Sequence, residues 1–333
     1  MKITIVTDTW LPSTNGVITT LINITKSLEK FGHTIQIIHP NLFKNIGVYG
    51  YSDVRLSLDV WKIKKLIEDF SPDAIHIATE GPLGLTARLY CKKNKISHNT
   101  SYHTKFPEYM NIHYHLPVGI GYKFLRLFHK DSNKVLVTTK TMEKELLTKK
   151  FKNLVVWRRG VDHEIFNPSS RCKLMLASRP VLVCVSRVSI EKGLDDFCGL
   201  KTTGTKILVG DGPYLEKLKE KYKDVIYVGF KHGKNLAHYF ANADVMVFPS
   251  RTDTFGVVML EAMACGTPIA AYPVTGPIDV IEEGINGSMN ENLPTAISNA
   301  LKLDRNIVYE SSLKYDWDKA AKIFEENLSK IKS

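Results

Sequence analysis

The sequence predicts an α/β protein built from two doubly wound domains, each a parallel sheet covered by helices on both faces. Three observations carry this. Short apolar runs alternate with helically spaced segments, as buried parallel strands and their crossover helices must. The alternation occurs twice, restarting after Phe166-Asn167-Pro168. The chain has 333 residues, enough for two cores of ordinary size.

In the first half KITIVT, TIQIIH, DAIHIA, ISHNTS and KVLVTT read as strands. Between them VITTLINITKSLEKF and GLTARLYCKKN place apolar residues three and four apart, the period of a helix. After the restart VLVCVS, TKILVG, VIYVG, DVMVFPS and PIAAY form the second set of strands. The expected domains are 1–165 and 166–312, meeting near residues 159–172. A terminal amphipathic helix from Tyr315 to Leu328, within 313–333, is expected to pack back on the first domain. Ligands of such sheets bind beyond the carboxyl ends of the strands, so a cleft between the domains is the expected site.

Composition narrows the function. Hydrophobic residues make up 44% and charged residues 24%, and no stretch approaches the roughly 20 apolar residues of a membrane-spanning helix. The opening MKITIVTDTW reads as a first strand and not as a signal peptide, which makes the cytoplasm the expected location. Cys91, Cys172, Cys184, Cys198 and Cys265 are odd in number and form no C-x-x-C pair, so they read as core residues and not as a disulfide framework or zinc site. Net charge is +11, with 24 basic against 14 acidic residues up to Pro168 and 21 against 20 from Ser169 on. The first half therefore suits an anionic partner such as a membrane surface, or simply has a solvated basic face. No nucleic-acid-binding motif accompanies the charge, so no nucleic-acid partner is expected.

The most informative segment is DVMVFPSRTDTFGVVMLEAMACGTPIAAYP, Asp244 to Pro273. A strand ends at Pro249-Ser250, a loop follows, and a helix begins near Thr254–Gly256 and ends at Gly266. Glu261 is the only charged residue from Phe255 to Cys265 and shares a face with Val257, Leu260 and Ala264. A lone carboxylate there is costly unless it is bonded, either to backbone or to the hydroxyls of a ligand. Asp253 stands at the helix mouth, where it is either an N-cap or part of a site that favours anions. Upstream, VSRVSIEKGLDDF runs from a strand into a loop carrying Arg187 and Lys192, two cations able to neutralise negative charge without a metal. VGDGPYLEKL is no dinucleotide fingerprint, because Leu215 takes the place of the third glycine. In the first half Gly16 marks a strand–helix turn, Leu11 to Val17, of the kind that lets backbone N–H groups approach phosphate. His103, in SYHTKFPEYM, lies just past a strand end.

Together these motifs resemble the retaining glycosyltransferases of family 4, and in particular a branch of α-mannosyltransferases and diacylglycerol (glycolipid and sulfolipid) glycosyltransferases. The stretches IHIATEGPLGLTAR, VVWRRGVDHEIFNP and GTKILVGDGP strengthen the likeness, which spans nearly the whole chain. The resemblance implies the GT-B architecture, two doubly wound Rossmann-like domains facing an interdomain cleft. It implies hexosyl transfer from a nucleoside-diphosphate sugar linked to uracil or guanine. The acceptor is a membrane lipid such as diacylglycerol or phosphatidylinositol, or, alternatively, GDP-mannose serves a soluble or polysaccharide-precursor acceptor. A sugar-nucleotide-binding protein without catalysis is the non-enzyme alternative. The resemblance makes Glu261 the ribose ligand, places Asp253 near the donor sugar, and has Arg187 and Lys192 clamp the diphosphate. Backbone around Phe255, Gly256 and Val257 meets the same diphosphate, as does the Gly16 loop, while His103 touches sugar and diphosphate. Phe230–His232 cradles the base, and Thr104, Lys105 and Glu108 shape the acceptor pocket. No metal or other cofactor is implied. Asp316-Trp317-Asp318 opens the terminal helix and reads as a dipole-favoured pair of acids, and His113-Tyr114-His115 likewise does not read as a metal site. Two departures stand out: the first acid is usually Glu, not Asp, and the segment between Gly193 and Lys206 is short, leaving only Leu194–Leu200 for a helix.

One further segment bears on the acceptor. On a helix GIGYKFLRLFHK, Gly119 to Lys130, aligns Ile120, Phe124, Leu127 and Phe128 as an apolar stripe and groups Lys123, Arg126 and Lys130. Lys92, Lys93 and Lys95, and Lys149, Lys150 and Lys152, add basic clusters. The stripe either packs on the domain's own sheet or meets an anionic bilayer, which would make the protein peripheral on the inner face of the cell membrane.

Overall fold

Each of the ten apolar runs contains a strand of a parallel sheet. The computed structural model describes residues 1–13, 15–48, 51–171 and 178–331, so Thr14 and Cys172 lie outside the described residues. The chain divides into two compact units, Met1–Arg159 with Trp317–Ser333, and Gly160–Asp316.

The first unit holds β1 (Lys2–Val6), α1 (Gly16–Lys30), β2 (Thr34–Ile38), β3 (Asn45–Val48), β4 (Tyr51–Ser57), α2 (Lys62–Phe70), β5 (Ala74–Ile77), α3 (Pro82–Lys93), β6 (Asn99–Tyr102), α4 (Phe106–Tyr114), α5 (Val118–His129), β7 (Lys134–Val137), α6 (Lys140–Thr148) and β8 (Leu154–Val156). Its sheet runs β2-β1-β5-β6-β7-β8, all parallel, with β3 and β4 as a separate antiparallel hairpin. The second unit holds β9 (Val181–Val185), α7 (Leu194–Cys198), β10 (Thr205–Val209), α8 (Leu215–Lys221), β11 (Val225–Tyr227), α9 (Gly233–Asn242), β12 (Val245–Phe248), α10 (Val257–Ala264), β13 (Ile269–Ala271), α11 (Pro277–Val280), β14 (Gly287–Met289), α12 (Leu293–Ala300) and α13 (Arg305–Ser312). Its parallel sheet runs β11-β10-β9-β12-β13-β14. That order reverses direction between β9 and β12, and the first unit's order reverses between β1 and β5, so each unit has one switch point where ligand-binding loops diverge.

The division falls at 159/160 and 316/317, several residues from the expected 165/166 and 312/313. The reason is packing: Val161 and Tyr315, outside the expected 166–312, both sit in the core of the second unit. The last helix, α14 (Trp317–Glu326), belongs to the first unit. Its Trp317, Ala320, Ala321 and Phe324 share a core with Leu21, Ile24 and Leu28 of α1 and with Trp157 after β8. His33 and Lys30 reach Glu325 at 2.9 Å and Asp318 at 3.7 Å from the α1 side. Asp318 thus serves an ion pair in the helix's first turn. The short segment after Gly193 does form only one abbreviated helix, α7. Among the described residues no helix is long and apolar enough to cross a membrane.

Candidate functional site

In the second unit the two loops of the switch point carry the expected residues. The loop after β9 bears Arg187 and Lys192, and the loop after β12 bears Asp253 and leads into α10. They are laced together: Lys192 Nζ donates to Asp253 Oδ1 at 2.6 Å, and Thr252 Oγ1 donates to the Glu191 carbonyl at 3.1 Å. The lysine and the acid are both largely shielded, at 14% and 21% side-chain exposure, so the pair is stronger than a solvated one. Asp253 is therefore the partner of Lys192 and not the cap of α10.

The helix begins at Val257, just past the expected Thr254–Gly256, because Gly256 stands before it in the left-handed region at φ +82°. A Cβ there would lie 2.9 Å from Met259 Cε and 2.9 Å from Phe248 Cζ, so only glycine fits. No side chain caps this end, which leaves first-turn N–H groups and the helix dipole directed at the loop beside Lys192. Phe255 anchors the turn in the core. One turn along α10, Glu261 has a buried Oε2 without a hydrogen-bond partner, and burial lifts its carboxyl from 4.5 to about 7. A half-buried carboxylate with one unbonded, buried oxygen retains capacity to accept hydrogen bonds.

The G-D-G-P turn braces this site from behind. Val188 donates to the Asp211 carbonyl at 2.9 Å and Tyr214 to the Val188 carbonyl at 3.0 Å. A Cβ on Gly210 (φ +146°) would sit 1.8 Å from the Ser186 carbonyl oxygen, so the turn presses directly on the Arg187 loop. Phe230 and His232 stack at 5.8 Å between ring centroids, with Phe230 exposed.

In the first unit two of the expected positions have partners within the fold. Gly16 opens α1 with open space beside it, but Asn15 caps the helix, its Oδ1 accepting from Val17 and Ile18 at 3.0 Å. Lys105 is held by Glu145 at 2.7 Å, and Glu145 is shared with Lys149. Glu108 accepts from Tyr122 Oη at 2.7 Å and keeps Oε2 buried without a partner. Thr104 lies in the same turn, its carbonyl accepting from Phe106. His103 follows β6, and its Nδ1 lies 3.1 Å from an Arg159 guanidinium nitrogen.

Arg159 was not singled out by sequence, nor was Asp8 at the switch point between β1 and β5. The Asp8 carboxylate accepts from Thr79 Oγ1 and from the N–H groups of Gly81, Leu83 and Gly84, capping α3. Burial raises its pKa against those hydrogen bonds. An early acid at a strand end was the available signal for Asp8. For Arg159 it was the Trp-Arg-Arg run before Gly160.

The α5 stripe also needs correction. Phe128 is 1% exposed and packs in the core, and the buried face is Tyr122, Leu125, Phe128 and His129. Ile120 and Leu127 are 63% and 59% exposed, and Phe124 is exposed too. Phe106, Ile112 and Leu116, on α4 and just beyond it, add further exposed apolar groups.

Comparison with known proteins follows the two units. Residues 14–165 match the model described as Glycosyltransferase Family 4, and residues 179–303 the model described as Glycosyl transferases group 1. A GDP-mannose-dependent alpha-mannosyltransferase of Corynebacterium glutamicum is 27% identical over 328 residues, covering 89% of this chain and 79% of that protein. An alpha-monoglucosyldiacylglycerol synthase of Streptococcus pneumoniae is 26% identical over 316 residues, covering 82% and 71%. Among solved structures, Anabaena Alr3699/HepE in complex with UDP and glucose superposes with a TM-score of 0.73 at 16% identity, covering 98% of each chain. That likeness shows the fold, which is GT-B.

Proposed function

As a member of the family 4 glycosyltransferases this chain is a hexosyltransferase using a nucleotide sugar, and we propose that it moves a hexosyl unit from a UDP- or GDP-linked donor onto a membrane lipid such as diacylglycerol or phosphatidylinositol, with retention of configuration. One observation carries the donor reading: the loops of one switch point bring together a lysine–aspartate pair and an uncapped helix N-terminus, and that same helix carries Glu261 with an unbonded, buried Oε2. The diphosphate takes Lys192, Arg187 and the N–H groups around Phe255, Gly256 and Val257. Charge building on the leaving diphosphate meets fixed cations and dipoles, so no metal is required. Glu261 accepts the ribose hydroxyls. When Lys192 turns to the diphosphate, Asp253 is released to the sugar hydroxyls. His103 hydrogen-bonds the donor, and the Gly16 loop approaches its phosphates. Acceptor contact falls to Thr104, Lys105 and Glu108, with Glu145 holding Lys105 in place.

The lipid reading is supported by the exposed apolar residues of α4 and α5, by Lys123 and Arg126 among them, and by the basic excess of the first half. Basic groups near an anionic leaflet contribute about 1 kcal/mol each. The relative that makes monoglucosyldiacylglycerol points the same way. Incubation with radiolabelled UDP- and GDP-sugars and membrane extract, in EDTA, tests the whole reading. Label should enter the organic phase. Label confined to a water-soluble product would favour the second reading, a GDP-mannose mannosyltransferase with a soluble or polysaccharide-precursor acceptor, which the Corynebacterium relative supports.

A further inference from the structure

Arg159 is a buried cation with no anion. It is 3% exposed, and among the described residues no carboxylate lies within ion-pair distance of it. One guanidinium nitrogen donates to the Trp157 carbonyl at 2.6 Å, and the other lies 3.1 Å from His103 Nδ1. The guanidinium lies 4.2 Å over the Trp157 ring. That indole is itself fixed, donating to the Ala320 carbonyl at 3.1 Å and packing on Phe324 of α14. A buried unpaired charge is costly and persists only where it is held for a purpose or over-determined by its surroundings.

A guanidinium has donors only. Its hydrogen bond to His103 therefore requires a bare Nδ1, and the proton of the neutral ring must sit on Nε2. We propose that Arg159 is a positioning residue that fixes His103 in the Nε2–H tautomer, ready to donate to an oxygen of the donor substrate. An imidazolium would set N–H against N–H and one cation against another. The neighbours agree: burial, then Arg159, then His76 on β5 push His103 well below its ordinary pKa. His76 is itself buried, with Nε2 2.6 Å from Ser101 Oγ, and stays neutral beside the cation. Arg159 is drawn down by burial to about 9, so it remains charged near neutrality. The arrangement is the reverse of a carboxylate-oriented histidine. There an acceptor holds Nδ1–H and frees Nε2 as a base; here a donor holds Nδ1 and leaves Nε2 as an obligate donor.

This assignment rests on the reading in which His103 touches the donor, but its test does not. Two-dimensional nitrogen–proton spectra of labelled protein report the tautomer of each of the eleven histidines, with His103 identified by its loss in His103→Asn. In the wild type His103 should carry its proton on Nε2 and not titrate between about pH 5 and 8. In Arg159→Met an Nδ1–H population or a titration should appear, with sugar transfer reduced roughly 10- to 100-fold, the range for loss of an outer partner of a functional histidine. Arg159→Lys, which keeps a cation and a donor, should restore the Nε2–H form. An Nδ1–H tautomer in the wild type overturns the proposal, even if the Met variant does not fold. So does an unchanged tautomer in a folded Arg159→Met. If the tautomer behaves as stated but no sugar nucleotide is turned over, the transferase reading fails and the role of Arg159 stands.

Discussion

Replacing Glu261 by Gln should make the protein more stable above neutrality while weakening donor binding. Burial holds the Glu261 proton to about pH 7 in the folded chain, against an ordinary value of 4.5. The folded state thus binds an extra proton between those limits, so wild-type stability falls as pH rises from about 4.5 to 7 and then levels off. With one pKa unit worth about 1.4 kcal/mol, the charged side chain costs the free protein no more than about 3 kcal/mol above pH 7. Gln has nearly the same shape and no charge, so it escapes this cost. At about pH 4, below the ordinary value, the two proteins should melt together. At pH 8.5 the variant should melt higher, by up to roughly 5–10 °C for a unit of this size. Its donor affinity should drop by roughly ten- to a hundredfold, the loss expected for charge-assisted hydrogen bonds to two hydroxyls. Calorimetric melting at both pH values, with and without sugar nucleotide, reads all of this. A variant that melts below wild type at pH 8.5, or a gap of equal size at both pH values, would refute the argument that Glu261 is held unpaired.

Further outcomes are expected from the same geometry. Arg187→Ala and Lys192→Ala should each lower turnover by about a hundredfold, with wild-type activity surviving EDTA; steady-state rates decide this. Asp253→Asn should reduce kcat more than donor affinity, because it is engaged by Lys192 until the diphosphate binds, and product NMR should show the donor's anomeric configuration retained. Co-sedimentation with anionic vesicles should weaken with salt and in Lys123→Glu/Arg126→Glu, and also in Ile120→Asp/Leu127→Asp, whose side chains are not needed by the core. Indifference to anionic vesicles at low salt would remove the docking argument. Phe324→Ala should destabilise the first unit by about 3–5 kcal/mol, since its ring is fully buried against Trp157 and His76; denaturant melts measure it.

Much of this was legible because buried parallel strands advertise themselves as unbroken apolar runs, and because a single carboxylate in an apolar helix has few innocent explanations. Hidden elements were those without such a signature. β14 reads Gly-Ser-Met and has no apolar run, β8 is only half-buried, and β3 and β4 sit apart from the main sheet. Helical spacing foretold α5 but put buried Phe128 in one stripe with exposed Ile120, Phe124 and Leu127, because shifting by one position exchanges buried Leu125 and Phe128 for exposed Phe124 and Leu127. The cap that Asn15 makes on Val17 and Ile18 beside Gly16 was not read from the sequence, because an Asn before a glycine is equally at home in a plain turn. The Arg159–His103 contact joins residues 56 positions apart through side chains, a distance over which no periodicity reports.

The place of α14 bears on how the chain is made. The first unit's residues up to Arg159 leave the ribosome early, yet the helix that covers α1 and pins Trp157 arrives only after 157 further residues. At ordinary synthesis rates that is a delay of roughly 8–30 s. Throughout it the apolar faces of Leu21, Ile24 and Leu28 and the indole of Trp157 have no lasting cover from α14, while the second unit, contiguous in sequence, has all it needs to fold. The nascent chain is thus expected to finish its second half before its first, and a chaperone that binds during synthesis should be found on the α1 face.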